Sequence, residues 1–501
     1  MILLVAAALR LPELAINPFH HDEGVNGFFT TNLVRDGVYR YDPANYHGPS
    51  LYYFALASAT LFGLTEQALR LVPVLAGLAS VALVLPLRRF IGPIATLTAA
   101  ALLAVSPGAV YISRYFIHES LLVCFSLGLV VASLLYLEER RPQYLLAAAA
   151  FAALVFTTKE SGIITVAVFA IAAVVARYYV GLRTPGAARR SPGRKVRGAD
   201  TLFVDGIEYR AVGGGRPGLA VPGLALEHVI AAAVVFLSIY VLLYSSFFTN
   251  FPEGLIDSLA TFTVWTQTGA ETQVQPPQQY LVWLVQAEAP LLVLGVVGGL
   301  IAALEGRHRV WVFIGLWALG ITVAYSIIKY KTPWIALNMV VPLALLGGLT
   351  IDRVGKSGRW RGAAPVVLAG AVAVGGYQAV DLSYRHYDDE TYPYVFVHTT
   401  RQALALIDRI EHVSTVAGTG RDTGVVFVTP DYWPLPWYMR DYPKAGFFGK
   451  IVPTEEALIV ANVNQEADLA QYAGRYTRDG VFTLRPGVDL ALYVRNDLAG
   501  R

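Results

Sequence analysis

The chain has 501 residues, of which 55% are hydrophobic and only 15% charged, with a formal net charge of +3. A soluble domain carries about 25% charged residues, so the composition excludes an ordinary soluble protein and indicates a polytopic membrane protein. The lone cysteine, Cys124, excludes a disulfide framework and a cysteine-based metal site.

The first apolar run, Met1 to about Ile16, reads as a membrane helix ended by Pro18. It is short for a span of about 20 residues, as expected if a cytoplasmic start is missing. It lacks the basic start and small-residue cleavage site of a signal peptide. A polar outer loop, residues 17–50, follows. Within it Gly24 to Asp36 reads as a surface helix stopping at Gly37, and the short run Ser50 to Leu64 as a helix lying at the membrane surface. Full spans are expected over Leu69–Leu87, Ile94–Val110, Ser120–Leu137, Tyr144–Thr157, Gly162–Val180, His228–Phe247, Tyr280–Leu304, Val310–Ile328, Trp334–Ile351 and Ala363–Val380. With the first helix this makes about eleven.

Lys and Arg in the loops set the orientation. Arg88-Arg89, Arg140-Arg141, the insertion 181–226, Arg307/Arg309 and Arg353 to Arg361 fall on one side, the cytoplasmic one. The insertion is the most basic stretch, and reads as a flexible inside loop. Its Gly213-Gly214-Gly215 lacks the Lys-Ser/Thr of a phosphate loop. The loop Phe248 to Gln279 has acids and no Lys or Arg, so it lies outside. The chain thus divides into a helical membrane domain, 1–380, and a polar, net acidic tail, 381–501, placed outside. The tail reads as a small α/β domain with a helix over Thr399–His412 and strands over Val425–Val428, Leu458–Val463, Val481–Leu484 and Ala491–Val494. Its aromatic stretch Asp431-Tyr432-Trp433-Pro434 and Pro436-Trp437-Tyr438 reads as a surface docked on the membrane domain, with a sugar platform as the alternative.

This topology gathers the unusual charges at the outer face. His20-His21-Asp22-Glu23 follow the first helix, Tyr46-His47 lie in the outer loop, and Arg114 with His118-Glu119, Lys159-Glu160, and Lys329/Lys331 with Trp334 lie at turns. Ionisable groups at a membrane boundary cost free energy and mark function. Each also has a plain structural reading. Asp22 suits a helix N-cap, Glu119 an ion pair with Arg114, and Lys159 a snorkelling anchor. Adjacent histidines do not face one metal as an i, i+4 pair would. Together a carboxylate able to take a hydroxyl proton and cations able to hold a phosphate fit sugar transfer from a lipid phosphate. Nothing points to a nucleic-acid partner.

The Asp22-Glu23 pair, the stretch His47-Gly48-Pro49-Ser50-Leu51-Tyr52, the run Arg70-Leu71-Val72-Pro73 with Ala76-Gly77, Ser113-Arg114-Tyr115 to Glu119 and Thr158-Lys159-Glu160 resemble GT-C glycosyltransferases, such as protein O-mannosyltransferases and the lipid A aminoarabinose transferase. Gly48 stands where the mannosyltransferases usually have a proline. Lys331-Thr332-Pro333-Trp334 and Tyr394-Val395-Phe396-Val397-His398-Thr399 resemble more closely the archaeal-type family of flippase-activity-associated membrane proteins. The resemblance implies a multi-pass enzyme of the cell membrane that moves a sugar from a polyprenyl-phosphate donor to a hydroxyl of a protein or lipid-linked glycan at the outer face. Asp22 would be its base with Glu23 beside it. Lys159, Lys329, Lys331 and Arg114 would face the donor phosphate; His21, Tyr46, His47 and Trp334 would line the substrate site. Glu119 would match an acidic position linked in some relatives to a metal, so a divalent cation is the one cofactor implied. The alternative is a protein that translocates a lipid-linked sugar or assists in it. Such a path needs polar groups along its whole depth, and the inner halves of the expected spans hold few.

Overall fold

The computed structural model describes residues 1–45, 47–183, 201–204, 207–210, 225–268, 273–472 and 474–498. Among these, seven helices are long and apolar enough to cross a membrane: Glu66–Ile91, Glu119–Glu139, Gly162–Arg183, Leu226–Tyr244, Arg309–Ile327, Pro333–Lys356 and Ala363–Arg385. The pair Gln279–Ala287 and Ala289–Glu305, bent by 117°, makes eight if counted as one crossing. Pro93–Val105 and Pro142–Phe156 are apolar but shorter. The expected bundle is present, with fewer full-length spans than the eleven read from hydropathy. Of the basic insertion, residues 184–200, 205–206 and 211–224 lie outside the described residues; between its helical ends the described part is an antiparallel pair, β1 (Thr201–Val204) and β2 (Ile207–Arg210).

Three expected spans are interrupted, each for a local reason. The first helix, α1, covers only Ile2–Ala8. Pro12 pushes Leu11 away from helical geometry, and the Arg114 guanidinium collects the carbonyls of Arg10 (3.0 Å), Pro12 (2.7 Å) and Glu13 (3.0 Å). The run Ile94–Val110 breaks at Ser106, whose hydroxyl accepts from the Ala109 amide at 3.2 Å and caps Pro107–Ile112. The run Tyr280–Leu304 turns at Glu288, because Pro290 has no N–H for the helix ladder. The Glu288 carboxylate then reaches across to the Ser106 hydroxyl (2.6 Å) and the Gly108 amide (2.8 Å).

The helix Leu337–Lys356 is the hub of the bundle. Small residues let its neighbours approach: a Cβ on Gly298 would stand 2.0 Å from the Leu346 carbonyl oxygen, and one on Gly348 2.3 Å from that of Ala95. At the end assigned to the cytoplasm, Arg353 grips Glu305 through two bonds of 2.7 and 2.8 Å, and Arg89 pairs with Glu139. At the other end lie α2 (His21–Asp36), closed by left-handed Gly37, and α3 (Ser50–Phe62). The next helix, α4 (Glu66–Leu83), begins there with Thr65 as its cap.

The tail carries a five-stranded sheet in the order β4-β3-β5-β7-β6. β3 (Val425–Phe427) is parallel to β4 (Ala445–Phe447) and to β5 (Leu458–Asn462), while β7 (Val488–Arg495) runs antiparallel to β5 and to β6 (Tyr476–Arg485). The expected helix appears as Gln402–Val416. β4 was not expected; its three residues are too few to show a period of two.

The aromatic stretch docks. Trp437 is 2% exposed, with its ring 4.8 Å from Phe19. Tyr438 accepts from the Phe19 amide (2.7 Å) and donates to Glu66 (2.6 Å). Two glycines of α2 make room: a Cβ on Gly27 would meet Trp437 at 2.8 Å, and one on Gly24 would meet Pro434 at 2.4 Å. Gly24→Ala is therefore expected to cost about 1–3 kcal/mol of overpacking at this seam. Limited proteolysis should release the tail faster in that variant; an unchanged digestion rate would show that the seam yields without loss.

Candidate active site

The site is built on the first turn of α2. His20 caps it, with its imidazole Nδ1 accepting from the Asp22 amide at 3.1 Å, while Glu23 reaches back to the His20 amide at 2.9 Å. This is a capping box with histidine in the usual Ser/Thr place. Glu23 is fully buried and takes three more bonds, from Arg70 Nε (2.7 Å), Arg70 Nη2 (2.7 Å) and the Phe116 amide (2.7 Å). Arg70 uses its other donors on the carbonyls of Leu14 (2.6 Å), Asn17 (2.9 Å) and Pro18 (3.2 Å). Every acceptor position of Glu23 is therefore occupied within the fold. Asp22, one residue earlier, points elsewhere. Among the described residues its carboxylate has no hydrogen-bond or ion-pair partner, and it is partly exposed. His21 beside it is held below the usual imidazole value by burial, so it is neutral near pH 7.

From α2 a polar path runs inward. Asn26 donates to the Phe116 carbonyl (2.9 Å) and accepts from the Tyr52 hydroxyl (3.0 Å). Tyr52 stands 5.5 Å from the ring of His118, which stands 4.7 Å from that of His47. His47 Nδ1 lies 3.1 Å from Glu160. The adjacent Lys159 ammonium is buried and 2.8 Å from Glu119, whose other oxygen is 3.5 Å from Asn338 Nδ2. Backbone pairing fixes this junction: the amides of Gly48 and Ser50 donate to the carbonyls of Thr158 (3.1 Å) and Thr157 (2.9 Å). A Cβ at position 48 would stand 2.2 Å from the Thr157 carbonyl oxygen, so this junction needs the glycine that stands where the mannosyltransferases usually have a proline. Beside Glu160 opens a cleft of about 260 Å³ lined by Phe156, Ile163, Phe236, Tyr240, Tyr244, Ser258 and Thr261.

Several expected site residues have other employment. The Lys331 ammonium donates to the carbonyls of Tyr325 (3.3 Å), Ser326 (3.0 Å) and Ile328, capping the end of Arg309–Ile327 over the ring of Tyr280. Its three N–H groups are thereby used. Arg114 clamps the turn after α1 and does not pair with Glu119. Lys329 is exposed. Trp334 packs between His20 (5.6 Å) and Phe396 (5.8 Å), which brings together the two stretches that resembled the flippase-associated family. Tyr46 lies outside the described residues. Glu119 does not fit a metal ligand: the Lys159 ammonium takes the cation's place, and among the described residues no group of three or more His, Cys, Asp or Glu converges on one point.

Sequence reasoning saw Arg70 only as part of a motif. It is the lone arginine in an apolar span, and that was the available signal for a buried partner. Glu288, an acid just before Ala-Pro in another apolar run, carried the same signal. Asn26 carried none, and Tyr52 appeared only as the end of the His47–Tyr52 motif, since only the packing of α2 on α3 makes the two neighbours.

The model of the dolichyl-phosphate-mannose-protein mannosyltransferase family matches residues 46–187. No curated protein sequence matches significantly. Among solved structures, ArnT from Cupriavidus metallidurans bound to undecaprenyl phosphate is 17% identical with a TM-score of 0.67, the match covering 100% of this chain and 98% of that one. Its apo form gives 16% and 0.68 with the same coverage. The Archaeoglobus fulgidus oligosaccharyltransferase in complex with zinc and sulfate is 14% identical with a TM-score of 0.53, covering 99% of this chain and 75% of that one. The chain therefore has the fold of the GT-C glycosyltransferases that its motifs resembled.

Proposed function

We propose that this protein is a membrane glycosyltransferase that moves a sugar from a polyprenyl-phosphate donor to an acceptor hydroxyl at the outer face, with inversion at the anomeric carbon. The observation that carries the reading is the division of labour between adjacent acids. Glu23 is locked into Arg70, and the Asp22 carboxylate, in the first turn of the same helix, has no hydrogen-bond or ion-pair partner among the described residues. Asp22 takes the proton of the acceptor hydroxyl as its oxygen attacks the anomeric carbon. The bond from that carbon to the phosphate oxygen breaks, and the polyprenyl phosphate leaves with the electron pair. Lys159 holds the phosphate, with Glu119 fixing its ammonium. The apolar cleft beside Glu160 suits the prenyl chain. The family-model match and the ArnT-like fold support the same donor class.

The test uses the purified protein in liposomes with a polyprenyl-phosphate hexose labelled on the sugar. Label leaving the lipid, to acceptor or to water, is the expected result. Intact labelled lipid changing leaflet without cleavage would replace this reading with translocation.

A further inference from the structure

The docked stretch does not bury all of its aromatic rings. Pro434 and Trp437 are pressed into α2, but Trp433, at the head of the stretch, is only partly buried. Its indole lies 6.4 Å from the ring of His21 and 5.9 Å, edge-on, from Phe28. The loop that carries it is braced: Arg485 pairs with Asp431 and donates to the Trp433 carbonyl at 3.5 Å. Pro434 against Gly24 then fixes this loop over the first turn of α2. The tail thus holds an indole against the residue that precedes Asp22, within one helical turn of the proposed base.

We propose that Trp433, His21 and the Asp431–Arg485 pair form the acceptor subsite, and that it receives a sugar ring, so that the acceptor hydroxyl belongs to a glycan. This rests on the reading of Asp22 as the base. An indole offers a flat apolar face to the C–H face of a pyranose. The neutral imidazole, the carboxylate and the guanidinium around it offer donors and acceptors to ring hydroxyls. Trp433 is a positioning residue here: it seats the acceptor, and Asp22 takes the proton.

The experiment is saturation-transfer NMR on the full chain in nanodiscs, with a neutral mannotriose and, separately, a serine-containing hexapeptide. Mannotriose should bind the wild type. Trp433→Leu keeps apolar bulk at the seam but removes the aromatic face, and should weaken that binding about tenfold; Trp433→Phe should restore most of it. No mannotriose binding to the wild type, or equal binding to Trp433→Leu, would overturn the subsite. Peptide binding that depends on Trp433 would overturn the glycan acceptor in favour of a protein one. Release of hexose from the donor into water, measured on the wild type alone, judges the transferase reading separately: its absence counts against Asp22 chemistry while the NMR result still decides the subsite.

Discussion

Asp22→Asn should lower the rate of sugar transfer by about 10²–10⁴-fold, the usual contribution of a positioned general base. The amide keeps the shape of the side chain and removes its proton affinity. Because the carboxylate has no partner among the described residues, the fold loses little with it: at most about 1 kcal/mol, from the interaction of a negative charge with the start of α2. A thermal melt should therefore superpose on the wild type within a few degrees while transfer is lost. Full transfer in Asp22→Asn would remove it as the base, whatever the melt shows.

Glu23→Ala should do the opposite. It strips the buried Arg70 guanidinium of its only carboxylate partner among the described residues and leaves the Phe116 and His20 amides without their acceptor. Breaking such a pair from one side costs about 3–5 kcal/mol, since the remaining charge stays buried. Arg70→Ala should cost a similar amount, because it also frees three carbonyls at residues 14–18. The two losses should not add: in the double variant neither charge is stranded, so its melt should lie well above the additive expectation. A double-mutant cycle measured by thermal unfolding in one detergent checks this. Strict additivity would mean that the pair is not coupled. The contrast between neighbours is the sharper test: if Asp22→Asn and Glu23→Ala lose stability equally, the separation of catalytic from positioning acid is wrong.

The sheet-bearing tail is fastened to the elements around α2. Tyr438 ties Glu66 at the start of α4 to the Phe19 amide just before His20. His398, on the connection into the tail, lies 3.1 Å from the Tyr115 hydroxyl, and burial lowers its imidazole to about 3, so it stays neutral. The helix that carries Asp22 is thus held from the membrane domain by Arg70 and from the tail by Trp437 and Tyr438.

The sequence by itself determined the membrane class and the helix stopping at Gly37, and it pointed to the gathering of His21, Asp22, His47, Glu119 and Lys159 at one end of the bundle and to the docking of Trp437. Each of these rests on a local signal: apolar run length, a turn residue, loop charge, or an aromatic cluster too large to leave in water. Hydropathy could not locate the breaks at Ser106 and Glu288, because an apolar average does not register a single side-chain cap or the missing N–H of one proline. Nor could it divide the cations. Lys331 and Lys159 both look like phosphate ligands in the chain, yet one spends its three donors on carbonyls at a helix end and the other faces Glu119. Only the tertiary structure distinguished the surroundings of Asp22 from those of Glu23. Successive helix residues point about 100° apart, so Glu23 turned inward to Arg70 while the Asp22 carboxylate kept no hydrogen-bond partner among the described residues.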